Sequence, residues 1–335
     1  MKKQAALILA AALLLTAAIG CDRAKETKEL TKITVSEVAR SVFYAPQYAA
    51  LTQGFFKEEG LEVELVTGQG ADKVMTAVIA GQADIGFSGP EAVIYVANEG
   101  KANHAVVFAQ VTKRDGSFIV GRKAVEKFDW EMLRGKHILG GRKGGVPEMT
   151  LEYVLRKNGL EPGRDVEVDT SVQFALMAGA FTGGAGDYTT LFEPTASMVE
   201  GEGKGVVLCS VGEQSGEMPY TCYYALKDYM AAHGDRIQRF ANAIYKGQRW
   251  VETHSAREVA EAIAPFFPDS NLELLEKVTQ RHKDIDAFMS DPVLKQEAFD
   301  RLQTVMEQAG VLEKHADYAQ VVDNTFAQKA IAAIK

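Results

Sequence analysis

The sequence predicts an α/β protein with two lobes followed by a helical C-terminal tail. From residue 32, short apolar segments alternate with helix-length segments, which is the pattern of βαβ units with a mostly parallel sheet. A second series of such units begins near residue 116, and the pattern is helical from Asp235 onward. The 335 residues also exceed the length at which a single hydrophobic core stops growing. We therefore expect a cleft between two lobes.

Local signals assign the elements in order. Strands are predicted at residues 33–35, 61–66, 83–87, 137–140, 166–168, 187–191 and 205–209. Capping boxes, in which a serine and a glutamate three residues later satisfy free N–H groups, predict helix starts at Ser88, Ser255 and Ser270. On the long helix of the tail, Ile237, Phe240 and Ile244 have the spacing of one buried face.

The first twenty-one residues have the features of an export signal. Two lysines precede an uncharged apolar run that ends at Gly20 and is followed by Cys21. The run is shorter than the roughly 20 residues of a membrane-spanning helix. A cysteine after a small residue resembles a bacterial lipobox, so we expect a signal peptide over 1–20 and a lipidated tether over 21–30, anchored at Cys21 on the outer face of the cell membrane. The alternative is an ordinary signal peptide with an incidental cysteine.

Composition excludes several classes of function. The net charge of −8 offers no footprint for nucleic acid, which is bound through lysine and arginine. The six histidines are scattered singly and no Cys-x-x-Cys pair occurs, so we expect neither a metal site nor a cofactor. A disulfide between Cys209 and Cys222 is allowed in an oxidising compartment, but two free thiols are favoured.

Four motifs carry a family resemblance. They are an apolar-Pro-x-x-Ala segment at 42–50, a Gly-Phe-Phe to Gly-Leu-x-Val segment at 54–63, a glycine loop at 68–72 and Gly-x-Ala-Asp-Ile-Gly within 80–86. From about residue 31 to its end, the chain resembles the solute-binding lipoproteins of bacterial ABC importers. The superfamily is the one that binds alkanesulfonates, nitrate and the pyrimidine precursor of thiamine.

The resemblance implies a bilobal clamshell of the type II periplasmic-binding kind, with two mixed-sheet lobes that close on a solute by hinge bending. Lobe 1 would comprise 31–115 and 221–335, with the helical tail packed on it, and lobe 2 would comprise 116–220. The implied partners are a small solute and the permease and ATPase subunits of an importer, with the chain itself a monomer.

The candidate ligand contacts lie in loops at strand ends, where open α/β sheets bind ligands. They are Tyr44, Gln69, Ser88, Gly89, Lys113, Arg142, Gly144, Gly145, Tyr188, Glu193 and Tyr220.

Each principal contact has an alternative structural role. Tyr44 stacks on a flat ring or packs in the core, and Gln69 contacts the solute or water. Ser88 offers a ligand hydroxyl, a helix cap or both. By resemblance to the pyrimidine-binding branch, Glu193 faces the ligand; otherwise it is a helix-start acid.

The charges expected around the cleft favour a neutral or amine-bearing aromatic solute. The loop at 142–147 resembles an anion cradle at a helix N-terminus, but Glu148 in the first turn already satisfies that dipole. With two further acids, Glu91 and Glu193, the negative charges balance those of Lys113, Arg142 and Lys143. This balance is unlike the positively charged site that would bind sulfonate or nitrate.

The sequence thus favours an importer receptor for a small aromatic or heterocyclic solute, such as a thiamine pyrimidine precursor. An alkanesulfonate or nitrate receptor is the alternative, and a domain that reports to a sensor would need the same fold. A related branch synthesises the pyrimidine with a cysteine-rich cluster and a histidine. Here Cys209 and Cys222 stand alone, and no nearby histidine in the sequence forms a nucleophile–base pair with them, so we do not expect an enzyme.

Overall fold

The computed structural model describes residues 29–334, so the predicted signal peptide and Cys21 lie outside the described residues. The strands are β1 (Thr31–Glu37), β2 (Leu61–Thr67), β3 (Ile85–Ser88), β4 (Ala105–Thr112), β5 (Ser117–Gly121), β6 (His137–Leu139), β7 (Glu167–Asp169), β8 (Tyr188–Phe192), β9 (Val206–Ser210) and β10 (Thr221–Leu226). They form two five-stranded sheets, with the orders β2-β1-β3-β10-β4 and β7-β6-β8-β5-β9.

Both sheets are mixed. In the first, β1 is parallel to β2 and β3, whereas β10 runs antiparallel to β3 and β4. In the second, β6 is parallel to β7 and β8, whereas β5 runs antiparallel to β8 and β9. The chain leaves the first sheet after Thr112 and returns to it at Thr221. The predicted α/β architecture with two mixed sheets is confirmed.

Helices cover both sheets and build the tail. They are α1 (Ala45–Thr52), α2 (Phe55–Glu58), α3 (Ala71–Ile79), α4 (Glu91–Asn98), α5 (Val146–Lys157), α6 (Met177–Thr182), α7 (Thr195–Gly201), α8 (Val211–Ser215), α9 (Lys227–Ala232), α10 (Gly234–Thr253), α11 (Ala256–Ile263), α12 (Leu272–Asp284), α13 (Gln296–Gln308), α14 (Tyr318–Val321) and α15 (Thr325–Ala333). Within the described residues, no helix combines the length and the apolar sequence needed to cross a membrane.

The tail packs on the first sheet through α10, which contacts α1 and α15. The predicted buried face of this helix is confirmed, because Ile237, Phe240 and Ile244 are fully buried. Phe240 meets the ring of Tyr223 on β10 at 4.9 Å between centroids. Burial of such side chains contributes about 1.5–3 kcal/mol each, so the tail is an integral part of this lobe.

Two of the three predicted capping boxes are wrong. Ser255 and Glu258 form the expected reciprocal pair at the start of α11. Helix α12 is instead capped by Asn271, which accepts a hydrogen bond from the backbone N–H of Leu274 at 2.8 Å. The cap of α4 is Pro90, which offers no side-chain acceptor, so Ser88 does not cap that helix.

The two described cysteines, Cys209 and Cys222, are free thiols, as predicted. Burial raises the pKa of the Cys209 thiol to about 12, and it raises the pKa of Cys222 well above its ordinary value. Because the thiolate is the reactive form, neither side chain is a candidate nucleophile.

Candidate functional site

A cavity of about 290 Å³ lies where the loops after strands of both sheets meet. The first sheet contributes the loops that follow β1, β2 and β3, and the second contributes those that follow β6 and β8. This is the edge at which open α/β sheets bind ligands. The volume lies just below the range for small-molecule sites, which begins at about 300 Å³.

Aromatic side chains line a large part of the cavity. Phe174 and Phe192 lie 5.4 Å apart between ring centroids, and Phe192 and Tyr220 lie 6.1 Å apart. On the side of the first lobe, the ring of Tyr44 packs on Phe87 at 4.6 Å and is almost fully buried. Rings held in this way present faces and edges on which a flat solute can pack.

Glu91, the first residue of α4, carries a buried carboxylate at the cavity wall. The residue is only 2% exposed, and its Oε2 atom accepts no hydrogen bond. Burial raises the pKa of this carboxyl to about 7, although the charge of Arg142 and nearby backbone N–H groups lower it. A Cβ atom added to Gly89 would lie 2.0 Å from Oε2, so a larger residue here would displace the carboxylate.

Glu193, which directly follows β8, has its carboxylate fully engaged within the protein. Its oxygens accept hydrogen bonds from the backbone N–H and the hydroxyl of Ser197, each at 2.9 Å. The guanidinium of Arg281 on α12 forms an ion pair with the same carboxylate. The hydroxyl of Ser41 donates to the backbone carbonyl of Glu193 at 2.8 Å, which joins the two lobes at this point.

The glycine loop before α5 is occupied by its own glutamate. The backbone N–H of Gly144 donates to Oε2 of Glu148 at 2.9 Å, and Tyr95 donates to the Gly144 carbonyl at 3.0 Å. Burial raises the pKa of Glu148 to about 7, partly opposed by this hydrogen bond. An anion at this helix start would have to displace a carboxylate.

Two arginines line the cavity, and each has an acidic neighbour. Arg40 lies 3.0 Å from Oε1 of Glu37, and the other carboxylate oxygen, Oε2, accepts hydrogen bonds from Gln47 and Tyr48. Arg142 of the second lobe lies 3.6 Å from Asp72 of the first. Their charges are therefore partly balanced before any solute arrives.

The structure brings part of the predicted contact set to the cavity wall. Those residues are Tyr44, Gln69, Gly89, Arg142, Gly145, Glu193 and Tyr220. Gln69 has a left-handed backbone (φ 63°) between two glycines, which turns the loop after β2 into the cavity. That these residues contact a solute stays a prediction.

Four predicted contacts lie outside the cavity wall: Ser88, Lys113, Gly144 and Tyr188. The Ser88 hydroxyl pairs with the hydroxyl of Tyr224 at 2.8 Å on the neighbouring strand. Lys113 forms a 2.8 Å ion pair with Asp286. Tyr188 begins β8, whereas the cavity lies at the carboxyl end of that strand.

Several residues at the wall were not predicted, among them Arg40, Ser41, Phe174 and Phe192, whereas Glu91 was expected among the charges around the cleft and does line the cavity. Phe192 could have been found, because it lies between a predicted strand, 187–191, and the predicted contact Glu193. Ser41 carries a sequence signal too, since it caps the turn that presents Tyr44. Phe174 had no such signal.

Comparison with known proteins agrees with this fold. The sequence matches the family described as "NMT1/THI5 like" over residues 42–257. The chain is 44% identical to the "Putative binding protein YtlA" of Bacillus subtilis over 91% of each chain. It is 23% identical, over 66% of each chain, to a 4-amino-5-hydroxymethyl-2-methylpyrimidine phosphate synthase of Aspergillus parasiticus.

Among solved structures, the alkanesulfonate-binding protein SsuA from Xanthomonas axonopodis superposes with a TM-score of 0.71 at 17% identity, covering 89% of this chain and 99% of that one. This likeness shows the fold, and it confirms the predicted clamshell of the periplasmic-binding kind. The expectation of a solute-binding protein is confirmed at the level of family and fold. The chain belongs to the NMT1/THI5 like family.

Proposed function

We propose that the chain is an extracytoplasmic solute-binding lipoprotein of an ABC importer, and that it captures a small aromatic or heterocyclic solute such as a thiamine pyrimidine precursor. It acts as a monomer and delivers the solute to permease subunits without chemical conversion. The observation that carries this proposal is the aromatic cavity between the lobes, in which the arginines are already paired with acids.

The charge arrangement supports this solute class over an anion. A sulfonate or nitrate receptor needs cations and free N–H groups aimed at the ligand. Here Arg40 faces Glu37, and Glu148 occupies the N–H of Gly144. Flat, uncharged or basic rings find packing partners in Phe174 and Phe192 and a carboxylate in Glu91.

A thermal-shift experiment with the mature protein tests the solute class. We expect 4-amino-5-hydroxymethyl-2-methylpyrimidine at about 100 times its Kd to raise the melting temperature by about 5 °C. Three anions, namely MOPS, a simple alkanesulfonate and nitrate, should each leave the melting temperature unchanged. Stabilisation by these anions alone would contradict the proposal.

Replacing Phe192 with alanine should weaken binding of the pyrimidine by about 10- to 100-fold, because it removes one ring of the cavity wall. Isothermal titration calorimetry gives the affinity. Phe128→Ala is the matched control, since that ring packs on Trp130 in the same lobe and does not line the cavity. Equal losses in both variants would show that the ring acts through stability alone.

The lipid anchor is tested separately with Cys21→Ser. In a bacterial host that lipidates secreted proteins, the wild-type protein should sediment with membranes and the variant should appear in the soluble extracytoplasmic fraction. Incorporation of a palmitate analogue into the wild type alone would support the anchor. Membrane association of the variant equal to that of the wild type would refute it.

A further inference from the structure

The acids at the cavity wall differ in what they already bind. Glu193 is compensated by Ser197 and Arg281, and Glu148 accepts from the loop N–H of Gly144. Among the described residues of the wall, Glu91 alone has a buried carboxylate oxygen without a hydrogen-bond partner. An unmet buried acceptor costs free energy unless something supplies the hydrogen bond.

We propose that Glu91, rather than Glu193, selects the solute, by pairing with an amino-heterocycle that presents an exocyclic N–H beside a ring nitrogen. This inference rests on the proposed function and names its recognition group. One carboxyl oxygen accepts from the exocyclic N–H, and the other shares a proton with the ring nitrogen. The pair needs one proton, which comes either from the carboxyl group or from a protonated ring.

The surroundings of Glu91 suit this role. Burial raises its pKa to about 7, so near neutral pH the group can either supply that proton or accept it. Arg142 is the cation that opposes this shift, yet it lies near Asp72 on the facing lobe. Gly89 beside it keeps the space for the carboxylate clear. The aromatic side chains of the wall pack on the faces of the heterocycle, while Glu91 forms hydrogen bonds with the polar groups at its edge.

The choice of Glu91 also explains the lack of a free anion site. A sulfonate in a cavity of this volume would lie beside a buried carboxylate, and two like charges in a low-dielectric site repel strongly. An amino-heterocycle brings hydrogen-bond donors to the same place. The Glu91 carboxylate therefore both favours binding of an amino-heterocycle and disfavours binding of an anion.

Two ring probes test the proposal by calorimetry on the mature protein. One is 4-amino-5-hydroxymethyl-2-methylpyrimidine and the other is the same ring without the 4-amino group. We expect the wild type to prefer the amino ring by about 100-fold, since a buried polar group rejects a ligand that leaves it unpaired. Glu91→Met, which keeps length but removes the acceptor, should reduce that preference below about 5-fold.

The matched variant is Glu193→Met, which removes the other acid at the wall. It should change the affinity for both probes by a similar factor and keep the preference for the amino ring. The reason is that Glu193 pairs with Arg281 and helps to hold the two lobes together, rather than binding the ring. Gly89→Ala provides a second route to Glu91, since it displaces the carboxylate without deleting it. We expect this variant to lose the preference as well.

The outcomes separate this inference from the proposed function. If the wild type binds the amino ring but Glu91→Met keeps the preference, or Glu193→Met abolishes it, the assignment to Glu91 is wrong and the receptor function stands. Equal binding of both rings by the wild type would likewise contradict the assignment to Glu91 and leave the receptor function standing. If the wild type binds neither ring, both the solute class and the role of Glu91 fail.

Discussion

Replacing Arg281 with alanine should lower the free energy of unfolding by about 3 kcal/mol, because it leaves a buried carboxylate without its counter-charge. Glu193 is only 1% exposed, and the guanidinium of Arg281 is the cation that pairs with it. The guanidinium also lies 5.4 Å from the ring centre of Phe118. Urea unfolding followed by circular dichroism measures the change.

The same helix offers a control. Lys277, one turn earlier on α12, pairs with Glu200 at 2.9 Å but is half exposed. Exposed pairs contribute about 0–1 kcal/mol, so Lys277→Ala should have a small effect. Combining Arg281→Ala with Glu193→Gln should recover part of the loss, since the uncompensated charge is then gone. A cost for Arg281→Ala no greater than that for Lys277→Ala would contradict the buried-pair interpretation.

The free energy of unfolding should fall as the pH rises from about 4.5 to about 7. Burial raises the pKa of Glu37 and of Glu91 from 4.5 to about 7, and that of Asp115 from 3.8 to about 6. In that window these three carboxyl groups hold protons in the folded protein that the unfolded chain has released, so their titration favours unfolding as the pH rises. Buried His282, whose pKa falls from 6.5 to about 3, opposes them with a single proton. For Glu91 the shift corresponds to about 3 kcal/mol at 1.36 kcal/mol per pH unit.

The contribution of Glu91 can be isolated with Glu91→Gln, which removes one titration while nearly keeping the shape. The groups that affect the titration of Glu91, or that are affected by its charge, come from several elements. They are Arg142, Tyr44, Tyr95, Tyr220, Cys222 and Tyr224.

Urea unfolding between pH 4.5 and 7.5 measures the dependence of the free energy of unfolding on pH. This dependence should have a shallower slope for Glu91→Gln than for the wild type. Glu62→Gln, an exposed acid on β2, should match the wild type. A stability that rises with pH in the wild type would overturn the prediction.

The sequence predicted seven of the ten described strands, because strand and helix periods are local properties, but β4, β5 and β10 were not among the predicted strands. It placed the tail helix correctly as well, since the spacing of Phe240 and its neighbours marks one face. It missed the cap of α12, where Asn271 rather than Ser270 takes the position. Ser270 fits the capping-box spacing, but the adjacent Asn271 is also a good N-cap residue, and only the backbone geometry decides between them.

The site was harder to predict because it depends on contacts between distant segments. Ser88 is drawn away from the cavity by Tyr224 of β10, and Lys113 by Asp286 of the tail. Neither partner is near in sequence. The roles of the two acids could not be separated from the sequence, since Arg281, the cation that pairs with Glu193, lies far along the chain.

The position of β10 bears on the order in which the protein is built. This strand lies between β3 and β4, so those two strands lack their shared neighbour until residues 221–226 have been synthesised. Every strand of the second sheet precedes that point in the chain. The second sheet can therefore assemble while the first still has open edges, and non-local pairing of this kind slows folding. A chain that stops before residue 221 would expose two strand edges to other polypeptides, a recognised route to aggregation.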